Sequence, residues 1–377
     1  MTIDYRAISQ SAVSLRRAIH AEPELGFSEI LTTQKVVSAL ESDGIPTHVR
    51  PDGAGLWVDL GTRGRRVAFR CDLDALPLTE ATGLPFASTI DKTMHACGHD
   101  AHTAIGVGIA RALNRTNFDG RIRIIFQPAE EIFPGGAVRM SAEGVLQDVE
   151  SIIAYHVDPS IPTGTIGLKS GPITSSADRF LFTVTGPGGH TARPHETVDT
   201  IGAAARLANQ LPDLLQRAID PRVPFALVFG SINGGKAANV IPTSVTMRGT
   251  CRLLDHDTWL EIPKIIERIA REIVAPTNAD IEILYETGIP PVVNDSRVAT
   301  TVGAAITESI GHNVVRPAYQ SMGADDFANY LEAVPGVLLR LGVGTGRPLH
   351  SATFDLDEDA IAIGIKAGVS ALLGLLA

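Results

Sequence analysis

The predicted order of strands and helices is different in residues 177–288 from the rest of the chain, which indicates two regions with different folds. Outside residues 177–288, short apolar runs bounded by turn residues alternate with helical stretches such as 100–115. Strands that alternate with helices predict an α/β fold, with a mostly parallel central sheet flanked by helices. The runs that we interpret as buried strands lie at 67–69, 122–126, 152–155 and 337–341.

The segment 177–288 has a different order. Its pattern predicts a strand, a helix, two strands, a helix and a last strand, which is the β-α-β-β-α-β order of a ferredoxin-like α+β domain. These elements are predicted at 179–185, 198–217, 224–232, 243–252, 257–274 and 281–285. We therefore predict a discontinuous α/β domain formed by residues 1–176 and 289–377, with the ferredoxin-like domain inserted into it.

Length and charge narrow the class of protein. A chain of 377 residues exceeds what one hydrophobic core usually organises, which agrees with two domains. The formal net charge of −10 disfavours contact with nucleic acid or an anionic membrane, so we expect a small-molecule substrate. No signal-peptide pattern and no apolar stretch of roughly 20 residues is evident, so we expect a cytoplasmic protein. The 3 cysteines are too few and too scattered for a disulfide framework.

Side chains that bind metals follow the predicted strands. In open α/β sheets, ligands bind at the carboxyl ends of the strands. We therefore expect one site to which several strands contribute. The residues concerned are Asp72 and Asp74 after the first strand, Glu130 and Glu131 after the second, His156 after the third and His350 after the fourth.

The segment 94–102, with the sequence MHACGHDAH, directly precedes the predicted helix 100–115. Thiolate, imidazole and carboxylate groups together favour zinc or another first-row transition ion over magnesium or calcium. We select Cys97 and His99 as ligands. We also expect the helix N-terminus beside them to lower the pKa of the Cys97 thiol.

The adjacent carboxylates of Glu130 and Glu131 point in different directions if the segment is extended. One can then bind metal while the other acts as general base, and two metal ions about 4 Å apart would complete a hydrolytic site. Taken singly, each candidate has a structural explanation, as a buried thiol, a core histidine or a solvated acidic pair. Their convergence on the strand ends is what favours a catalytic interpretation.

Several long segments, in this order, resemble the hippurate hydrolase and auxin-conjugate amidohydrolase family, and they span nearly the whole chain. The resemblance implies a metal-dependent amidohydrolase that cleaves N-acyl amino acids. The segments are RRAIHAEPELGF at 16–27, DLDALP at 72–77, MHACGHDAH at 94–102, FQPAEE at 126–131, GGHTARPH at 188–195, NVIP at 239–242 and LHS at 349–351.

The resemblance also implies two divalent transition-metal ions per subunit, of zinc, manganese, nickel or cobalt. It implies that Glu130 is the general base and that Asp74 and Asp100 orient the ligands. The implied metal ligands are Cys97, His99, Glu131, His156 and His350.

In the inserted domain, the resemblance implies that His190 polarises the substrate carbonyl, in some dimers of related metallopeptidases from the partner subunit. Asn239 and Arg252 are implied to hold the substrate carbonyl and the free carboxylate, a task for which a guanidinium is suited. The inserted domain would then serve as a lid and for dimerisation. We accordingly expect a homodimer or a higher homo-oligomer formed through it.

Two positions depart from the family pattern. Asp325 stands where a glutamate is usual in the segment GADDF at 323–327, and we expect only a local effect. Thr200 follows Asp199 where proline is common, for which we expect a looser helix start.

Three alternatives compete with this interpretation. A dipeptidase or aminopeptidase on the same scaffold would need an acidic residue to hold a free ammonium group, and the sequence leaves that possibility open. A nucleotide-binding oxidoreductase is disfavoured because the Gly-rich loop at 342–346 lacks the dinucleotide fingerprint and the helix that should follow it. A non-catalytic metal-binding scaffold is disfavoured by Glu130, which has no necessary ligand role.

Overall fold

The computed structural model describes residues 3–377. The chain forms two compact units, whose boundaries lie a few residues outside the predicted junctions at 176/177 and 288/289. The sequence pattern contained no sign that residues 320–325 join the smaller unit. The larger unit comprises the chain up to Ile173 with Val293–Tyr319 and Asp326–Ala377, and the smaller comprises Thr174–Val292 with Gln320–Asp325.

The helices begin where a capping side chain or a turn ends the preceding segment. Asp4, for example, accepts the N–H of Ala7 at 3.0 Å and so caps the first helix. The α-helices are α1 (Tyr5–His20), α2 (Ile30–Glu41), α3 (His99–Asn114), α4 (Ala137–Ala142), α5 (Thr200–Ala218), α6 (His256–Val274), α7 (Ser296–Ile310), α8 (Ala328–Leu331) and α9 (Asp359–Leu376). Short 3-10 turns occupy Pro194–Glu196 and Ala275–Thr277.

The strands include every predicted one. They are β1 (His48–Val49), β2 (Leu56–Arg63), β3 (Arg66–Asp72), β4 (Gly120–Gln127), β5 (Val149–Asp158), β6 (Ile166–Leu168), β7 (Gly171–Thr174), β8 (Ala177–Thr185), β9 (Gly189–His190), β10 (Phe225–Gly234), β11 (Val240–Ile241), β12 (Ser244–Leu253), β13 (Asp280–Ile289), β14 (Val292–Asn294), β15 (Val315–Pro317) and β16 (Gly336–Gly342).

The sheet of the larger unit has the order β1-β2-β4-β3-β5-β16-β6-β15. Its four adjacent strands β4, β3, β5 and β16 are mutually parallel. Antiparallel pairs occur only on either side of them, between β1 and β2, β2 and β4, and β16 and β6. The mostly parallel sheet is thus confirmed, and the carboxyl ends of four neighbouring strands meet at one edge.

The core of this unit is built around α3 and α9. Glycines allow their close approach, because a Cβ added at Gly108 or Gly368 would lie 2.4 or 2.3 Å from the Cδ1 atoms of Ile365 and Ile109. Among the described residues, α9 alone is long and apolar enough to cross a membrane by length and composition, so the expectation of no such apolar stretch was wrong. Since 56% of it is buried inside the fold and it packs on α3, it has the character of a core helix.

The smaller unit has the sheet order β10-β12-β8-β13, with the predicted β-α-β-β-α-β connectivity. Along β12 the side chains alternate, with Met247 and Cys251 buried and Arg248 and Thr250 exposed. The buried face packs on α5 and α6 in one hydrophobic cluster. Helix α5 begins at Thr200 as a capped helix, because Asp199 accepts the N–H of Gly202 at 2.8 Å.

Candidate metal centre

The structure brings the predicted ligands of the larger unit together at the carboxyl edge of its sheet. Donor atoms of Cys97, His99 and His156 lie within 4.8 Å of one another, as do those of Cys97, Glu131 and His350. Each ligand reaches this edge as the sequence predicted, from the end of β4, β5 or β16 or from the start of α3. Cys97 belongs to both sets, so its thiol lies between them.

In the first set, Cys97 Sγ lies 3.3 Å from His156 Nε2. The other ring nitrogen of His156, Nδ1, donates to the carbonyl of Val157 at 2.8 Å, which leaves Nε2 without a proton. Burial, followed by the charge of Arg340, holds the pKa of His156 well below its usual range. This imidazole is therefore neutral, the form that binds metals.

In the second set, Glu131 Oε1 lies 3.2 Å from His350 Nε2. His350 has a left-handed backbone with φ of 58°, and its N–H donates to the carbonyl of Ala96 at 2.8 Å. A left-handed conformation is strained for a residue other than glycine. The loop after β16 is thereby tied to the segment that carries Cys97.

Glu130 directs a carboxylate oxygen towards the same place as Glu131, because donor atoms of Glu130, Glu131 and His99 lie within 4.8 Å of one another, so the expected divergence of the pair is not observed. Its Oε2 lies 3.9 Å from His99 Nε2, and its Oε1 accepts the backbone N–H of Asp326 at 3.4 Å. Only 8% of Glu130 is exposed. It belongs to neither of the two sets that share Cys97 but to a third set with His99 and Glu131, at the border of the cluster.

The site is chemically suited to transition-metal ions. His99 Nε2 is fully buried and makes no hydrogen bond within the described residues, although it lies 3.9 to 4.0 Å from Asp72, Glu130 and Glu131 carboxylate oxygens. A buried nitrogen without a partner, surrounded by carboxylates, fits a bound cation. Thiolate, imidazole and carboxylate donors together suit zinc and its neighbours in the first transition row.

The expectation for the Cys97 thiol was wrong in direction. Burial, followed by the Glu131 carboxylate, raises the pKa of Cys97 well above its usual range. A coordinating thiol is deprotonated by the charge of a divalent ion, so the thiolate form depends on metal binding.

The two aspartates predicted to orient ligands make different contacts. Asp74 contacts ligands directly, with Oδ1 3.2 Å from His99 Nδ1 and Oδ2 accepting the N–H of Glu131 at 2.9 Å. Asp100 contacts Arg16 Nε and His20 Nδ1, both at 2.7 Å. Burial would raise the pKa of Asp100, but these two partners outweigh it and hold the pKa far below its usual range. Asp100 thus anchors the first turn of α3 to α1.

A buried network behind the ligands was missed by the sequence analysis. His102 donates from Nδ1 to Asp72 at 2.6 Å and accepts the N–H of Val157 at Nε2 at 2.9 Å, so it fixes the backbone next to His156. Arg70 binds Asp72 and Asp326, each at 2.6 Å. The spacing of three between His99 and His102 on one helix and the charged Arg70 inside an apolar strand were the available signals.

The remaining candidates lie in the smaller unit. His190 in β9 pairs with Val240 in β11, and the carbonyl of Asn239 accepts the N–H of Thr191 at 3.2 Å. The ladder therefore brings His190 and Asn239, both exposed, to one place. His190 Nδ1 accepts the N–H of Ala192 at 3.0 Å, so the neutral ring carries its proton on the exposed Nε2. Arg252 lies in β12, and its Nη1 donates to the carbonyl of Met322 at 3.0 Å.

A family model described as peptidase family M20/M25/M40 matches residues 68–374 of the chain. The N-acetylcysteine deacetylase of Bacillus subtilis strain 168 is 37% identical over 363 residues, which cover 95% of each chain. Thermostable carboxypeptidase 1 of Saccharolobus solfataricus is 36% identical over 379 residues, covering 97% of this chain and 95% of the relative.

A longer relative comes from Rhodococcus jostii strain RHA1 and is provisionally named glutamate–cysteine ligase 2-3. It is 43% identical over 363 residues, which are 95% of this chain but 46% of that protein. Among solved structures, a Bacillus subtilis protein described as a dinuclear metal-binding peptidase of the M20 family superposes with a TM-score of 0.88. The two sequences are 34% identical, and the match covers 98% of this chain and 99% of the other.

Proposed function

The chain belongs to peptidase family M20/M25/M40 and is a metal-dependent amide hydrolase, and we propose that its substrates are N-acyl amino acids. The observation that carries the proposal is the pair of donor sets that share Cys97, with Glu130 beside them. The products would be a carboxylate and a free amino acid.

Five side chains would hold two divalent transition-metal ions. The ligand sets described above divide them into His99 and His156 on one side and Glu131 and His350 on the other, with Cys97 common to both. When bound, such a pair of ions supplies Lewis-acid activation of water and of the scissile carbonyl. The fold contributes rigid placement, because the ligands come from strand ends and from the first turn of a buried helix.

Glu130 would act as the general base. Its carboxylate accepts a proton from the attacking water and later delivers one to the leaving amine nitrogen, which must depart as a neutral amine. The N–H of Asp326 holds one oxygen, Oε1, while the other, Oε2, faces His99 and the ligand cluster. A carboxylate that is held at one oxygen and faces the ligand cluster with the other is suited to moving a proton over a short distance.

Recognition of the substrate would fall to the smaller unit. The guanidinium of Arg252 would pair with the α-carboxylate, Asn239 would hold the substrate carbonyl, and the Nε2 proton of His190 would stabilise the developing oxyanion. The relatives named as N-acetylcysteine deacetylase and carboxypeptidase support a substrate with a free carboxylate next to the cleaved amide. We further propose a cytoplasmic homodimer formed through this unit, whose mass light scattering would measure.

The test is a substrate panel with the metal content of the protein measured beforehand. We expect hydrolysis of N-acetyl, N-benzoyl or indole-acetyl amino acids, its loss on exhaustive chelation, and its recovery to different degrees with zinc, manganese, cobalt or nickel. Free dipeptides with the same C-terminal residue are the comparison. Faster hydrolysis of the dipeptides would favour a dipeptidase or aminopeptidase, and full activity in metal-free protein would overturn the proposal.

A further inference from the structure

The turn that presents Glu130 and Glu131 is held from outside the metal centre. Ala129, the residue before the pair, has a left-handed backbone with φ of 55°. Its N–H donates to Glu29 Oε1 at 2.7 Å, and its carbonyl accepts the N–H of Gly136 at 2.8 Å. The side chain of Glu29 therefore reaches across 100 positions of sequence to the backbone directly before the candidate general base.

This turn needs an external restraint. A left-handed conformation is unfavourable for a residue other than glycine, and the hydrogen bond from the Ala129 N–H to Glu29 helps to stabilise it. The chain around it has little room to adjust, since a Cβ at Gly136 would lie 1.9 Å from the carbonyl oxygen of Pro128. Gly26, three residues before Glu29, also packs here, and a Cβ on it would lie 3.0 Å from that of Ala129.

The carboxyl of Glu29 has no role in its own helix. Glu29 is the residue before α2, yet its side chain caps none of the N–H groups of that helix. Glu24 does so instead, accepting the N–H groups of Leu31 at 3.1 Å and Thr32 at 2.7 Å. Glu29 is nevertheless fully buried, at 0% exposure. Burying a carboxyl group is costly, and the contact that this side chain makes is with the turn before Glu130.

We propose that Glu29 is a positioning residue for the general base. By accepting the N–H of Ala129, it keeps the residue before the pair in the left-handed conformation from which Glu130 and Glu131 reach the ligand cluster. This inference rests on the proposed hydrolytic function for its effect on rate, but its effect on the turn is independent of that function. Among the described residues, the Glu29 carboxyl makes no hydrogen bond to a proposed ligand.

Glutamine is the matched substitution. Burial, followed by the Asp74 carboxylate, raises the pKa of Glu29 to about 8, so at neutral pH most of its carboxyl groups carry a proton. Glutamine has the same length and keeps a carbonyl oxygen for the N–H of Ala129. Leucine removes the acceptor, and aspartate keeps the carboxyl but withdraws it by one methylene group.

The rate test compares these variants with Glu24→Leu, which removes the other carboxylate at the start of α2. In fully metallated protein, Glu29→Leu should lower kcat by about ten- to a hundredfold, the range for loss of a supporting contact, with KM nearly unchanged. Glu29→Gln should retain the parental kcat. Glu24→Leu should lower the melting temperature without lowering kcat. If Glu29→Leu does not fold, Glu29→Asp should show the same selective loss of kcat.

Hydrogen exchange of the segment 127–136 supplies a readout that does not depend on activity. We expect faster exchange there in Glu29→Leu or Glu29→Asp than in the parent, and parental exchange in Glu29→Gln and Glu24→Leu. Parental exchange and kcat in both disruptive Glu29 variants would overturn the inference, as would an equal loss of kcat in Glu24→Leu. If the parent hydrolysed no N-acyl amino acid, the proposed function would fail while the exchange experiment still decided the role of Glu29.

Discussion

Asp74 accepts the backbone N–H of Glu131 at 2.9 Å through one carboxylate oxygen, while its other oxygen lies 3.2 Å from His99 Nδ1. One side chain after β3 thus fixes the backbone of a proposed ligand after β4 and the ring of a proposed ligand on α3. These two proposed ligands fall in different ones of the two sets that share Cys97, and together in a third set with Glu130. Asp74 is therefore in contact with one member of each set that shares Cys97.

Replacing Asp74 should therefore weaken both sites at once. Loss of a residue that orients ligands typically lowers metal affinity 10- to 100-fold, and we expect Asp74→Ala to reach this range for both ions. Asp74→Asn keeps an acceptor for the N–H of Glu131 and should lose less. Competition with a chromophoric chelator measures the two affinities. A selective loss at one position would mean that Asp74 supports only one ligand.

Glu130 and Glu131 should respond differently to the same substitution. Glu130→Gln keeps the shape of the side chain but cannot accept the proton of the attacking water, so this variant should be inactive, fully metallated and as heat-stable as the parent. Glu131→Gln weakens a ligand, so it should lower metal occupancy and melting temperature together, because metal bound to the native state alone stabilises it. Elemental analysis and calorimetry measure both quantities.

The reverse pattern would require the two roles to be exchanged. If both variants kept metal and activity, the carboxylate pair would be a solvated loop and the hydrolytic mechanism would fail. The geometry favours the first assignment, since Glu131 lies 3.2 Å from His350 whereas Glu130 is held by the N–H of Asp326.

The strand ends were predictable because buried parallel strands are short apolar runs, and their neighbours in sequence must emerge at one edge of the sheet. The sequence pattern therefore predicted that Glu130, Glu131, His156 and His350 lie together at that edge. The ferredoxin-like order of the smaller unit followed from the same alternation, as β12 illustrates with its buried Met247 and Cys251.

The supporting contacts were not predictable in the same way. Glu29 and Arg70 act through tertiary hydrogen bonds whose partners, Ala129 and Asp326, are 100 and 256 positions distant. No local pattern encodes such pairings. The pKa of Cys97 was misjudged for a related reason, because the helix N-terminus is visible in sequence whereas the degree of burial is not.

His190 is predicted to act on the substrate, since its Nε2 proton is exposed while Nδ1 is satisfied by the N–H of Ala192. His190→Ala should lower kcat by about two to three orders of magnitude with metal still bound, as for loss of one oxyanion donor. His195, an exposed histidine of the same loop, provides the control, and His195→Ala should leave the rate unchanged. Metal loss together with activity in His190→Ala would indicate a structural role instead.

Arg252 is predicted to recognise the substrate carboxylate. We expect Arg252→Ala to lower kcat/KM for N-acyl amino acids by an amount equivalent to about 2–3 kcal/mol of transition-state stabilisation, which is the contribution of a hydrogen bond to a charged group. The corresponding amino-acid amides should be poor substrates of the parent and should lose little more in the variant. Arg248→Ala, on the same strand face, is the control. Equal losses on acids and amides would mean that Arg252 mainly supports the loop containing Met322, to which it donates at 3.0 Å.

The buried carboxyl of Glu29 should make stability depend on pH. Its pKa is raised to about 8 in the folded protein, chiefly by burial, whereas an unfolded glutamate titrates near about 4.3. The folded state therefore holds a proton that the unfolded state releases, and the associated stabilisation is fully present below about pH 4.3 and is lost as the pH rises towards 8.

The Glu29→Gln variant carries no such proton. Relative to the parent, Glu29→Gln should accordingly gain stability as the pH rises, by up to about 1.4 kcal/mol per pH unit for one proton. Melting temperatures of the parent and the variant, measured at about pH 5, 6 and 7, give this difference in stability directly. Saturating chelator keeps metal binding from adding its own pH dependence. A difference that stays constant with pH would show that Glu29 is ionised throughout and that its burial is compensated by the N–H of Ala129.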